Sequence, residues 1–166
     1  IILITAVALV AIIFIYGDWQ KHNDKTFGVI FLNIGQGDSA LIKFRNGEKM
    51  LVDCGKDKTV LSRLGENLSF FDKTIYYLVV THPDLDHYGG CADVVGRYHI
   101  KNIIENGDNS KTDSYFERWD KTAAASGARR QIVKDFSPWA IASTTINWLF
   151  PNSAVKVEKP GSNNRS

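Results

Sequence analysis

The run TIYYLVV at 74–80, followed directly by THPDLDHYGG at 81–90, constrains the fold more than any other feature of the chain. A compact β-branched and aromatic run of this length predicts a central strand buried on both faces. His82, Asp84, Asp86 and His87 then set two imidazoles and two carboxylates within six positions, where that strand ends. All four side chains are common ligands of divalent cations, and open α/β sheets bind ligands outside the carboxyl ends of their strands. Pro83 stiffens the start of the turn, while Gly89-Gly90 allows close backbone approach as the next helix begins. Asp84 or Asp86 alone would read as a helix cap. Four such residues at alternating spacing predict a metal site.

Upstream, FGVIFLNIGQGDSALIKFRNGEKMLVDCG reads as three short strands, GVIFLNI, SALIKF and MLVD, the last two joined in a hairpin through Asn46-Gly47. GQGD at 35–38 reads as a tight turn that leaves Asp38 at its rim. Val60, Leu61, Leu64 and Leu68 fall at helical spacing behind Asp57, a candidate cap. Downstream, CADVVGRYH predicts a helix and KNIIEN a strand. SYFERWDKTAAA predicts an amphipathic helix with Tyr115, Trp119 and Ala123 on one side, and RRQIVKDF and AIASTTINWLF predict further strands. This alternation argues for an α/β (α+β) domain with helices packed on the faces of a sheet. The terminal KVEKPGSNNRS is a loop by composition.

The opening IILITAVALVAIIFIY is sixteen residues without a charge, just short of the roughly 18–20 of a full membrane span. Residues 1–17 read as an incomplete transmembrane anchor, 18–26 as a polar linker and 27–166 as the domain. A signal-peptide core would pass into small residues, whereas this run passes into YGDWQKH. A buried core helix would carry polar residues at helical spacing. Tyr16 and Trp19 stand where an interfacial aromatic belt lies, and Lys21 and Lys25 follow. The formal charge of +2 and the lack of a Lys/Arg block exclude a nucleic-acid tail. Cys54 and Cys91 lack C-x-x-C spacing and read as small buried hydrophobes. His22 and His99 receive no role.

TIYYLVVTHPDLDHYGG resembles the signature loop of metallo-β-lactamase-fold hydrolases, H-x-H-x-D-H, with matches at His82, Asp86 and His87 and with Asp84 in place of the second histidine. The H-P-D-x-D-H-x-G-G form, with FLNIGQGDSALI and MLVDCG upstream, resembles the hydrolase domain of ComEC-type DNA-uptake competence proteins. The resemblance implies the first half of an αββα four-layer sandwich, preceded by a transmembrane helix, with a two-metal site at the sheet edge. His82 and Asp84 would serve one metal, and Asp86 and His87 the other, Asp86 being the catalytic candidate. Asp53 in LVDCG would support the ligands from behind. A carboxylate in place of an imidazole hardens the first position and shifts preference toward Mn²⁺ over Zn²⁺. Relatives continue after a loop like Ser162-Asn163-Asn164-Arg165-Ser166 into further strands and ligands, so the chain is expected to be a fragment whose C-terminal part is missing.

Three functions follow as expectations. The first is a phosphodiesterase or nuclease in a bacterial cell membrane, its domain on the extracytoplasmic side and its substrate DNA, with Lys101, Arg118, Arg129 and Arg130 as candidate phosphate contacts. The second is another hydrolase of the same superfamily. The third is an inactive, membrane-tethered binding module.

Overall fold

The computed structural model describes residues 2–108, 112–133 and 137–149. Six strands form one sheet in chain order: β1 (Gly28–Phe31), β2 (Ala40–Lys43), β3 (Lys49–Val52), β4 (Thr74–Val80), β5 (His99–Glu105) and β6 (Arg129–Ile132). β1 to β3 pair antiparallel, and β3 to β6 run parallel. The β2–β3 connection is tight because Gly47 accepts a φ of 88°. Parallel neighbours need longer crossovers. The chain supplies α2 (Thr59–Asn67), the pair α3 (Leu85–Tyr88) and α4 (Cys91–Arg97), and α5 (Ser114–Ala125).

Crossovers of one hand that advance in one direction leave their helices on one face. Val60, Leu64, Val94 and Trp119 accordingly share one core with Leu51, Ile75, Leu78 and Ile103. Alternate strand residues point the other way. Met50, Val79 and Ile104 pack there against Ile141 and Trp139 of a second, two-stranded sheet, β7 (Trp139–Ile141) and β8 (Thr144–Ile146). Among the described residues the layers are thus helices, the six-stranded sheet and the hairpin sheet.

Several expectations change. The expected strand AIASTTINWLF contains instead the β7–β8 hairpin, turned at Ala142, whose φ of 52° no glycine or asparagine announces. In α5 the inward stripe is Phe116, Trp119 and Ala123, while Tyr115 is 59% exposed. Asp113 caps that helix by accepting from the amides of Tyr115 and Phe116 at 2.9 and 3.0 Å, which sets the first turn so that Phe116 faces in. Cys54 and Cys91 are joined in a disulfide, fully buried. Two cysteines are few, but the fold brings two crossover starts together. The end of RRQIVKDF and the loop Ser162–Ser166 lie outside the described residues.

The first helix, α1 (Ile2–Asn23), has 22 residues and buries none of them. It is long and apolar enough to cross a membrane, and it absorbs most of the expected linker. A core helix would have packed a face inward. This one does not.

Candidate metal centre

The site forms where three turns meet at the carboxyl ends of β3 and β4. β3 ends at Val52, and Asp53 takes a φ of 56°, a left-handed backbone that a non-glycine residue adopts at a cost. That turn drives its carboxylate, only 3% exposed, beneath the end of β4. Asp53 Oδ1 accepts from the Thr81 amide at 2.9 Å, and Oδ2 accepts from the Thr81 hydroxyl at 2.7 Å and from His87 Nδ1 at 2.8 Å.

The loop itself is held by backbone. The amide of Cys54 donates to the His87 carbonyl at 2.7 Å, Gly90 to Gly55 at 3.0 Å, Gly55 to Asp38 at 3.0 Å and Asp38 to Asp86 at 3.3 Å. The approach is close enough that a Cβ on Gly37 would lie 1.9 Å from the Asp86 carbonyl oxygen. A Cβ on Gly90 would lie 2.5 Å from that of Cys54. The disulfide fastens the same two turns from within. Gly37 of GQGD and the two glycines of HYGG are therefore there for contact between turns.

Hydrogen-bond counting assigns the histidine tautomers. The Thr81 hydroxyl has one proton, and Asp53 Oδ2 accepts it. Thr81 Oγ1, 2.9 Å from His82 Nδ1, must then accept from that nitrogen, which leaves the His82 Nε2 lone pair free. Nε2 is buried and has no partner. In neutral His87, Nδ1–H donates to Asp53 and Nε2 again carries the lone pair. One carboxylate oxygen thus orients both imidazoles, whose rings stand 3.9 Å apart between centroids. Asp53 also holds the His87 pKa above its ordinary 6.5, aided by the charges of Asp86 and Asp38 and opposed by burial.

Each open nitrogen faces a carboxylate. His82 Nε2 lies 3.6 Å from Asp84 Oδ2, and His87 Nε2 lies 3.9 Å from Asp38 Oδ2. Both gaps exceed a hydrogen bond; the first matches, and the second slightly exceeds, the roughly 3.3–3.6 Å between two ligands about 2.0–2.2 Å from one tetrahedral metal. Among the described residues, no three His, Cys, Asp or Glu side chains converge on one point. The fold sets up two histidine–carboxylate pairs.

The structure thus brings His82, Asp84, His87 and Asp53 together. Asp86 enters through its backbone, while its carboxylate makes no hydrogen bond or ion pair among the described residues. Asp38 and Thr81 were not singled out as ligand and support. GQGD reads as a turn, and nothing local shows that this turn packs on the histidine loop. The residues present fit a divalent cation: a buried, unpartnered imidazole nitrogen beside a carboxylate is costly unless something binds it.

Residues 32–135 match the family model of the metallo-beta-lactamase superfamily. The chain belongs to that superfamily. Its members are generally metal-dependent hydrolases, and the matched span holds every residue of the site. No curated protein matches the chain.

Beside the superfamily loop lies a cavity of about 450 Å³ at the carboxyl ends of β4, β5 and β6, with His82 in its wall. Glu105 accepts from Trp119 Nε1 at 3.2 Å and pairs with Arg130 at 2.9 Å, and Arg130 also pairs with Asp120 at 2.8 Å. Of the candidate phosphate contacts, only Arg130 reaches this cavity, already neutralised. Arg118 is paired with Asp93 at 2.7 Å.

Proposed function

We propose that the chain is a membrane-anchored, metal-dependent hydrolase acting on phosphodiesters, its domain on the extracytoplasmic side of a bacterial cell membrane. The buried, unpartnered Nε2 of His82 carries this reading, because its tautomer is set and its lone pair waits on a ligand. His82 with Asp84 would hold one cation, and His87 with Asp38 or Asp86 the second. A bound divalent cation supplies Lewis acidity, lowering the pKa of a water and polarising a phosphoryl group.

The chain's own residues prepare that chemistry. Asp53 keeps a proton on His87 Nδ1 and, through Thr81, on His82 Nδ1, so that neither ring can swing its lone pair away. Asp84 and Asp38 add negative charge and oxygen donors, which favour a hard cation such as Mn²⁺ over Zn²⁺. Exposed Lys56 and Lys58 sit on the β3–α2 loop, whose Lys56 carbonyl abuts Gly89, and offer cations to an anionic substrate at the rim. The disulfide supports the extracytoplasmic placement, since such bonds persist in oxidising compartments. DNA is the substrate suggested by the resemblance to competence proteins.

A second reading has its own observation. The cavity wall carries Glu105, Asp108 and Asp120 against one arginine, a lining that suits a neutral or amine-bearing group better than a polyanion, and so another hydrolysis on the same fold. Mn²⁺-dependent cleavage of bis(p-nitrophenyl) phosphate and of DNA by the full chain, lost in His82→Ala and Asp84→Ala, is the expected result. Cleavage that survives both substitutions would overturn the proposed site. A stoichiometry of one weakly held ion or none, with no turnover, would mark an inactive binding module.

A further inference from the structure

The amino end of β4 carries the further inference, which rests on reading α1 as a membrane anchor. We infer that the α2–β4 loop, with Phe70 and Phe71 at its tip, is a second membrane contact. It seats the domain on a bilayer containing anionic lipid and turns the metal centre away from it.

The helix does not leave the domain freely. Asp18 Oδ2 accepts from the Ser69 hydroxyl at 2.6 Å, and Oδ1 accepts from the Phe70 amide at 2.5 Å. Lys21 donates to the Glu66 carbonyl at 2.8 Å. Phe14, one turn earlier and about 6 Å further along the helix axis, lines a cleft with Leu61, Leu68, Phe70 and Tyr98. The uncharged run of α1 ends at Tyr16, and Tyr16 stacks on Trp19 with ring centroids 6.1 Å apart. Aromatic pairs of this kind mark the level of the headgroups. Phe70, bonded to Asp18, is held at that level.

Side chains at this depth suit lipid. Phe70 is 55% exposed and Phe71 71% exposed, and Lys73 Nζ lies 4.7 Å from the Phe70 ring centre. Lys73 and exposed Arg97 border the same cleft. The neighbouring carboxylates are engaged: Asp18 as above, Asp72 with Lys49 and at 4.0 Å from His22, and Glu66 with Arg63 at 2.8 Å. Two apolar rings beside cations that pair with no carboxylate among the described residues make the pair of signals that holds a protein on anionic lipid. β4 then runs seven residues from this loop to Thr81, about 23 Å at strand rise. The metal centre therefore opens to the aqueous phase, and its substrate comes from there rather than from the lipid of the same bilayer.

The test uses the full chain in phosphatidylcholine–phosphatidylglycerol vesicles with brominated acyl chains, which quench tryptophan at the hydrocarbon boundary. The emission added by Phe71→Trp should fall by about half or more, the contact being within several ångströms of the acyl region. Phe70→Trp should behave alike, and Tyr115→Trp, on α5, should lose none of its added emission. Lys73→Glu with Arg97→Glu should relieve the quenching at Phe71→Trp. Protein that withstands alkaline carbonate extraction, yet shows Phe71→Trp no more quenched than Tyr115→Trp, overturns the docking surface and leaves the anchor standing. Protein stripped from the vesicles by carbonate overturns the anchor, and the docking surface with it.

Discussion

At the carboxyl end of β4, three turns are tied by backbone hydrogen bonds, a buried carboxylate and a disulfide; at its amino end, Asp18 of α1 reaches a loop that exposes two phenylalanines and Lys21 reaches the last turn of α2. The first end is over-determined. Both imidazoles there are oriented by bonded neighbours, His87 by buried Asp53 and His82 by Thr81, as a preorganised metal site would require. The second end relies on exposed polar contacts and on a helix without a buried face, so its order depends on what surrounds α1.

The largest effect should come from opening the disulfide. Its two cysteines are 37 positions apart, and closing a loop of that length contributes about 4 kcal/mol in the chain-entropy account. Cys54→Ser with Cys91→Ser should lower the denaturation midpoint of the detergent-solubilised chain by a corresponding amount and weaken metal binding. An unchanged midpoint would remove the disulfide from the list of ties. Gly37→Ala comes next: a Cβ placed 1.9 Å from a carbonyl oxygen, on a backbone with φ of 98°, should cost about 1–3 kcal/mol. Gly96→Ala in α4 meets nothing within 4 Å and should stabilise by about 0.5–1 kcal/mol. Equal shifts in these two variants would contradict the close approach of turns.

Asp53→Asn keeps the shape of the site and alters its protons. Metal affinity should fall about 10- to 100-fold, as competition against a chelating dye would register, and melting should drop as well, because the new amide donor faces a buried donor. pH sharpens the same point in the chelated protein. The folded His87 pKa is raised, so its stabilisation is full below about pH 6.5 and is lost as pH rises through the raised value. Melting temperature should drift downward across that window, and a rise there would contradict the Asp53–His87 contact. Asp18→Ala at the other end should barely move the melting temperature but should speed hydrogen exchange at the Phe70 amide. A large loss of stability would show that the amino end is as tightly built as the carboxyl end.

Much of the fold was legible because local patterns agreed with it. TIYYLVV is β4 to the residue, and Asn46-Gly47 closes its hairpin. The β7–β8 hairpin was missed because its turn rests on Ala142, held left-handed by strand pairing rather than by turn chemistry. Tyr115 was placed inward because helical periodicity leaves a stripe ambiguous by one residue until a cap fixes the first turn. The site divides in the same way. Two histidines and two aspartates in six positions mark a candidate metal loop by themselves, since side-chain type and proximity are local. That Asp38 faces His87, that Thr81 relays the orientation set by Asp53 to His82, and that Cys54 bonds Cys91 all depend on residues far apart in the chain.

By itself the sequence determined the strand–helix alternation, the apolar opening helix and the gathering of two imidazoles and two carboxylates at residues 82–87, because each is written in neighbouring side chains. Only the tertiary structure decided which carboxylate meets which imidazole, which tautomer each histidine holds and where α1 touches the domain. Those depend on how parallel strands bring separate loop ends to one edge, and no local pattern encodes that distance.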